Sequence, residues 1–369
     1  MSRDPCCMPE AIRSRYQKRL ERSVRVYRGL LVNDASLAGH HGSALVTDRA
    51  KSLAQEVGID LTIGWPWSKI EDTLSRTHEF EVVIVNGEGS IHHHSPSARR
   101  IAQLALLLHA QNIPAFLVNA SEEANSHEIL RGLAAFRRIY VRDEASRQSL
   151  SKASIPAHIV SDLTLSWEHA PQAGGIGELL VTDASDNRKS ERLIDLARKW
   201  SARPVTMRCP PPRPRRGFPT RWLSHQAKSL IAGFAPMGAW QLRYRPTANT
   251  YCALARILAE EASGIICGRY HAVCFALCQG LPFLAIEGNI GKVAALLGDI
   301  GMRDRLRSLE ELESMTGRPR IPAFSDEEHQ RRQLFLADTR RRAGQMFRDI
   351  AKDLANPNVE PARFGDLGP

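Results

Sequence analysis

The sequence lacks any apolar run of the roughly 18 to 20 residues that a membrane-spanning helix needs. Its opening stretch, MSRDPCCMPEAIRSRYQKRLERSVRVYRG, has no apolar centre of the kind a secretory signal carries. A cytoplasmic protein is therefore expected. Its seven cysteines, at 6, 7, 209, 252, 267, 274 and 278, are odd in number and show no disulfide-framework spacing, which fits that compartment. His271, Cys274 and Cys278 could be drawn as metal ligands. The two cysteines fall in an apolar helical run, however, where a free thiol packs as a small hydrophobe, so no metal is expected. There is no GxGxxG, Walker, HExxH or GxSxG motif, which weighs against dehydrogenase, nucleoside triphosphatase, metalloprotease and serine hydrolase chemistry. No nucleic-acid-binding module or aromatic–basic interleaving is present, and nucleic acid is not an expected partner.

What is present is an ordinary globular composition, 43% hydrophobic and 24% charged, over 369 residues. That length suits two domains of roughly 150 to 180 residues. The formal net charge is +10, which points to anionic small substrates or an anionic surface. The basic residues gather in the arm from Arg13 to Arg28, in the loop RCPPPRPRRGFPTR at 208–221, and around 330–342. A solvated basic face is the plain alternative, and peripheral contact with an anionic membrane at its inner face is the other expectation.

Short apolar runs alternate with amphipathic segments. Strands are expected at Val26–Asn33, Glu81–Val85, Pro114–Asn119, Arg138–Val141, His158–Val160, Glu178–Thr182, Pro204–Cys209, Gln241–Arg243, Gly264–Cys267 and Phe283–Ile286. Helices are expected at Ser43–Val57, 97–111, Glu123–Phe136, Ala145–Ala153, Lys189–Lys199, Leu223–Ala232, Thr247–Ala262, His271–Cys278 and 326–354. This rhythm predicts an α/β fold of parallel sheets covered by helices on both faces. The Pro/Gly-rich HAPQAGGIG at 169–177 marks the boundary. The expected organisation is a basic arm at 1–25, an N-terminal Rossmann-like domain at 26–170, a C-terminal one at 176–322, a helix at 326–356 and a tail at 357–369.

In open α/β sheets, ligands sit at the carboxyl ends of strands. The segment GIICGRYHAVCFALCQGLPFLAIEGNIGK at 264–292 is the most informative one. Its strand ends at Gly268, and a helix starts near His271 and stops at Gly280, a residue suited to the left-handed cap, before Pro282. Arg269 and His271 thus lie at a strand-to-helix turn. Helix N-termini offer free N–H groups and a positive dipole end, and a guanidinium adds to an anion site there. His271 can move a proton near neutral pH. An ordinary surface arginine and a capping histidine are the plain alternative.

The second segment is EVVIVNGEGSIHHH at 81–94. Gly87 and Gly89 allow close backbone approach, Ser90 can donate to a ligand, and Glu88 is a carboxylate at a strand end beside Asn86. His92 and His93 can hydrogen-bond a polar substrate. Three adjacent histidines cannot easily face one metal. Arg142 in RIYVRDEASR follows a short strand. Weaker candidates are Asn33-Asp34 with Gly39-His40-His41-Gly42-Ser43, Ser161-Asp162, and Asn289 with Lys292.

Taken in order, NGEGSIHH at 86–93, YVRDEAS at 140–146, SDLTLS at 161–166 and GRYHAVCFALCQGLPFLAIEGNIGK at 268–292 resemble the polysaccharide pyruvyl transferase family. The resemblance spans roughly residues 26–302. It implies a GT-B-like fold of two Rossmann-type domains facing a cleft, the donor in the C-terminal domain and the acceptor in the N-terminal one. It implies transfer of a pyruvyl group from phosphoenolpyruvate to hydroxyls of a sugar or lipid-linked glycan, giving a ketal, with no cofactor or metal. By similarity, Arg269 and His271 match the family's donor-site pair and Arg142 its Arg-Asp-x-x-Ser arginine. The chain departs from the family at Glu287-Gly288-Asn289-Ile290-Gly291-Lys292 and at Gly39-His40-His41-Gly42. A glycosyltransferase using a nucleotide sugar, and a non-catalytic binding protein on the same fold, are the alternatives. The sequence does not fix the oligomeric state.

Overall fold

Val82 to Asn86 form a strand in which every residue is buried, and its two faces serve two different cores. Val83 and Val85 pack with one set of helices, while Val82 and Ile84 pack with another. Successive side chains of a strand point to opposite sides, so a run of apolar residues without alternation means a sheet covered twice. The computed structural model describes residues 25–34, 39–63, 77–174, 177–209, 247–288 and 291–356. The basic arm before residue 25, the loop from residue 210, the expected helix Leu223–Ala232 and strand Gln241–Arg243, Asn289 and the tail from residue 357 lie outside the described residues.

The chain divides into two compact units. Unit 1 comprises residues 1–36, 45–169 and 334–369; unit 2 comprises 37–44 and 170–333. Strands β1 (Tyr27–Val32), β2 (Ile59–Ile63), β3 (Val82–Asn86), β5 (Ala115–Ala120), β7 (Arg138–Val141) and β8 (His158–Ile159) form the sheet of unit 1. Their order is β2-β1-β3-β5-β7-β8, and every pairing is parallel. A two-stranded parallel ribbon, β4 (Ile91–His92) with β6 (Glu122–Glu123), stands apart from it. Glu122 and Glu123 therefore extend a strand pairing, and the helix expected from Glu123 begins only at His127, with Ser126 at its N-cap position.

Helices cover both faces of that sheet. On one side α2 (Pro96–Ala110) buries Ala98, Ile101, Ala102, Leu104, Ala105 and Leu108, the spacing of one helical face. The Ser95 side chain caps it by accepting from Ala98 N, and Pro96 occupies the first turn. The helix α3 (His127–Leu133) packs on the same side. On the other side lie α1 (His41–Glu56), through Val46, Ala50, Leu53 and Ala54, and the last turns of the final helix, through Ala343, Met346, Phe347 and Ile350. Burying a side chain such as Ile84 contributes roughly 1.5–3 kcal/mol. The helix α4 (Glu144–Lys152) follows β7 and is capped by the Asp143 carboxylate, which accepts from Ser146 N.

Unit 2 repeats the plan with five strands. They are β9 (Glu178–Thr182), β10 (Arg203–Val205), β11 (Ala262–Cys267), β12 (Phe283–Ile286) and β13 (Leu306–Arg307), in the order β10-β9-β11-β12-β13, again all parallel. The intervening helices are α5 (Asn187–Lys199), α6 (Tyr251–Glu261), α7 (Tyr270–Gln279), α8 (Lys292–Ile300) and α9 (Leu309–Ser314). The final helix α10 spans Asp326–Ala355. In α5, Leu193, Ile194, Leu196 and Ala197 face the core, and Asp186 caps the start by accepting from Lys189 N. The helix α7 is buried at all ten of its positions except Tyr270, which makes it a central element. It ends at Gly280, whose φ of 67° is the left-handed conformation read from the sequence.

In both sheets the first strand is followed on one side by the second and on the other by the third. The direction of winding therefore reverses between β1 and β3 in unit 1, and between β9 and β11 in unit 2. Such reversal points open a crevice at the carboxyl ends of the strands. Among the described residues, no helix is long and apolar enough to cross a membrane.

Candidate functional site

At the reversal point of unit 2, β9 leads into Asp183 and β11 leads through Gly268 into Arg269. Asp183 is fully buried. Its Oδ2 accepts from Arg269 Nε at 2.8 Å and from Arg269 Nη2 at 2.5 Å. Its Oδ1 accepts from Met207 N at 3.1 Å, and Arg208 Nε lies 3.9 Å from Oδ2. Gly268 is needed where it stands: an added Cβ would lie 2.7 Å from the Asp183 carbonyl oxygen and from Leu193 Cδ1. Gly268 N donates to Thr182 Oγ1 at 2.7 Å, tying the two strand ends together.

Arg269 occupies the N-cap position of α7 with extended backbone, and its side chain makes no cap hydrogen bond. The guanidinium is committed to Asp183 instead. Two bonds to one carboxylate oxygen leave further donors of the five that a guanidinium carries. His271, 7% exposed, follows in the first helical turn. In that turn Ala272 N and Val273 N both donate to the Arg269 carbonyl, at 3.0 and 3.3 Å.

The Gly39–Gly42 segment joins this cluster. His41 N donates to the Met207 carbonyl at 2.9 Å, and Cys209 N donates to the Gly39 carbonyl at 2.9 Å. His40 forms an antiparallel bridge with Arg208. The His40 and His271 rings stand 5.2 Å apart and tilted by 53°. A Cβ on Gly42 would fall 2.2 Å from His271 Cγ, so the missing side chain is what admits the imidazole. Burial holds His40 well below the usual histidine range, and His271, Arg269, His41 and Arg208 add to the effect. Burial brings His41 down to about 4 against an opposing pull from Asp183. Burial and the neighbouring Arg269 also lower Arg208, with Asp183 acting the other way.

Just after β12, Glu287 accepts from Gly288 N through Oε1 and from Ala294 N through Oε2, each at 2.8 Å. Lys189 Nζ holds the carbonyls of Glu287 and Gly288 at 3.0 and 3.2 Å. Lys292 is the first residue of α8. Its expected companion Asn289 falls outside the described residues.

At the reversal point of unit 1 the candidates form a hydrogen-bonded network. Asn33, held at φ 62°, donates through Nδ2 to the Asn86 carbonyl at 2.6 Å and to Ser90 Oγ at 3.0 Å. Ser90 Oγ donates to the Glu88 carbonyl at 3.0 Å. Asn86 Oδ1 accepts from Glu88 N at 3.2 Å and from Asn119 Nδ2 at 3.4 Å, and Asn119 Oδ1 accepts from Leu163 N. Asparagine amides thus stitch together the ends of β1, β3 and β5. Gly87 answers an internal constraint, since a Cβ there would meet Ala120 Cβ at 2.5 Å. Gly89 has φ 62° and open space around it.

His92 pairs across the ribbon with Glu123. His93, at φ 47°, places Nε2 3.9 Å from Glu123 Oε1, and the His92 and His93 rings meet edge to face. Among the described residues no group of three or more His, Cys, Asp or Glu is arranged to hold a metal.

Arg142 is 5% exposed at the end of β7. Nη1 donates to Asp162 Oδ2 at 2.8 Å and Nε to Ser121 Oγ at 3.0 Å. Asp162 also caps the turn Leu163–Ser166, accepting from Thr164 N and Oγ1. The structure therefore brings Arg269 together with His271 in unit 2. Asn86, Glu88 and Ser90 come together in unit 1, where Arg142 is bound to Asp162. Asp183 was not among the residues singled out in the sequence, and Arg208 was noted only as the start of the basic loop 208–221. The strand-end rule applied to TDAS at 182–185 would have found Asp183.

No family model matches the sequence, and no curated protein matches it. Solved structures do. A putative UDP-N-acetylglucosamine 2-epimerase from Listeria monocytogenes is 11% identical, with 92% of this chain and 100% of that one covered at a TM-score of 0.51. MnaA of S. aureus, in its co-structure with UDP, is 8% identical over 92% and 100% of the two chains, at 0.48. UDP-GlcNAc 2-epimerase from Methanocaldococcus jannaschii is 8% identical over 84% and 99%, at 0.44. Together with the two parallel sheets, the Listeria likeness identifies the fold as GT-B-like, with two Rossmann-type units.

Proposed function

We propose that this protein is an enzyme that transfers a group from a phosphate-bearing donor to a sugar hydroxyl, with the donor held by unit 2. One observation carries the reading. At the reversal point of its sheet, two guanidiniums, Arg269 and Arg208, share a single buried carboxylate, Asp183, beside the His40 and His271 imidazoles. Two guanidiniums gathered at one strand end favour an anion there.

Two donors fit this chemistry, each with its own support. A nucleotide sugar is favoured by the fold likeness to a putative UDP-N-acetylglucosamine 2-epimerase, which extends over 92% of this chain. It has the broader backing of the two. A sugar hydroxyl would attack the anomeric carbon, and the nucleoside diphosphate would leave with its charge met by Arg269. Phosphoenolpyruvate is favoured by the ordered motifs NGEGSIHH, YVRDEAS, SDLTLS and GRYH. Here the methylene carbon gains a proton, a sugar hydroxyl attacks C2, phosphate leaves, and a second hydroxyl closes the ketal. His271 is positioned to move a proton in either reaction. In unit 1, Glu88, His92 and His93 are the candidates for orienting the acceptor, on the strand-end network that Asn86 and Ser90 hold in place.

Calorimetric titration with phosphoenolpyruvate, UDP and UDP-N-acetylglucosamine separates the donors. Binding of the last two alone selects the nucleotide sugar; binding of the first alone selects pyruvyl transfer. Turnover with the selected donor should fall on the order of 10²-fold or more in Arg269→Ala. Near-normal turnover in Arg269→Ala and His271→Ala would remove the assignment.

A further inference from the structure

The Gly39–Gly42 segment belongs to unit 2 by its packing, although its chain neighbours on both sides belong to unit 1. Two backbone hydrogen bonds, which make an antiparallel bridge between His40 and Arg208, fasten it to residues 207–209. That attachment sets the His40 ring against His271. His40 Nδ1 is enclosed and has no hydrogen-bond partner among the described residues. Buried polar atoms without partners are uncommon and costly. One placed beside two arginines and a second imidazole has a ready explanation as a ligand-binding atom.

We infer that His40 is part of the donor site, where its imidazole binds the donor's phosphate and takes up a proton from solvent as the anion arrives. This deepens the donor-site reading of unit 2 and rests on it. The four groups that act on His40 work in the same sense. His41 on the same segment, Arg208 beyond β10, and Arg269 and His271 at the start of α7 all disfavour a charge on His40 in the empty site. Asp183, after β9, is already engaged by Arg269. An incoming dianion would reverse that balance. A neutral His40 in the empty site then becomes a cationic donor in the filled one. Affinity should rise as pH falls through the filled-state pKa and level off below the empty-state one.

The test is calorimetric titration of the full chain with inorganic phosphate, phosphoenolpyruvate and UDP, in two buffers of different ionisation enthalpy between pH 6 and 8. Wild type should take up about one proton more per anion bound than His40→Gln, the ligand's own titration cancelling in the difference. The variant should bind on the order of tenfold more weakly at pH 6. Thermal melting of His40→Gln and His40→Asn checks that the fold is intact. Should both variants fail to fold, ring NMR of wild-type histidines must show one resonance titrating at higher pH once ligand is present; no such shift overturns the inference. If both variants match wild type in affinity and proton uptake while Arg269→Ala loses binding, His40 is not a ligand although the donor site stands. If wild type binds none of the three anions, the inference and the donor reading fall together.

Discussion

Replacing His41 by leucine should make unit 2 less sensitive to acid, and the size of the effect follows from where the imidazole sits. His41 is the first residue of α1 and has no exposed surface. Neither Nδ1 nor Nε2 has a hydrogen-bond partner among the described residues. Burial brings its pKa down to about 4 from an ordinary 6.5. The positive end of α1 acts in the same direction. The unfolded chain therefore binds this proton more readily than the folded one. The contribution is fully favourable above pH 6.5 and is lost as pH falls from 6.5 towards 4. At about 1.4 kcal/mol per pKa unit the loss amounts to roughly 3 kcal/mol. At pH 7.5, His41→Leu removes two buried nitrogens without partners and keeps the backbone bond to Met207, so its stability should stay within about 1 kcal/mol of wild type. At pH 4.5 it should exceed wild type by roughly 2 kcal/mol. Hydrogen exchange read on peptides from β9 and β11 reports unit 2 by itself. In the variant His40 is also relieved of a protonated His41, which widens the expected gap at low pH. A gap between the two proteins that stays constant from pH 7.5 to 4.5 would refute the reasoning.

Two further substitutions probe the same cluster. Asp183→Asn leaves Arg269 and Arg208 without their shared carboxylate and should destabilise unit 2 by about 3–5 kcal/mol. Millimolar phosphate should restore part of that loss in a thermal melt, and a change under about 1 kcal/mol would show the pair to be unimportant. Gly42→Ala places a Cβ 2.2 Å from His271 Cγ and must displace the ring. A cost of about 1–3 kcal/mol is expected, together with a loss of turnover like that of His271→Ala; unchanged melting and turnover would mean that His271 does not need its present position.

Much of the architecture is legible in the chain because its signals are local. EVVIV at 81–85 reads as a doubly covered strand, and Gly280 before Pro282 reads as a left-handed cap; both are observed. Glu122 and Glu123 are different. Their pairing with Ile91 and His92 comes from 31 residues away in register, and the helical pattern that follows hides it. The turn carrying Arg269 and His271 is legible by the strand-end rule. What the turn does with Arg269 is not, because the Asp183 partner lies 86 positions earlier. The asparagine network is similar: Asn33 and Asn86 are 53 residues apart, and no periodicity announces a side-chain bond of that reach. His40 reads as one polar loop residue among several until the bridge to Arg208 shows which sheet it serves.

The assignment of residues 37–44 to unit 2 and of 334–369 to unit 1 also bears on how the protein is made. Phe347 and Ile350 complete one face of the first sheet, so a ribosome must emit the chain through residue 350 before that face can close. A fragment starting at residue 177 would likewise lack His40. Truncation at the Pro/Gly-rich boundary should therefore yield two incomplete pieces, and co-expression of complementary segments is the natural way to ask whether either half can recover the part it has lost.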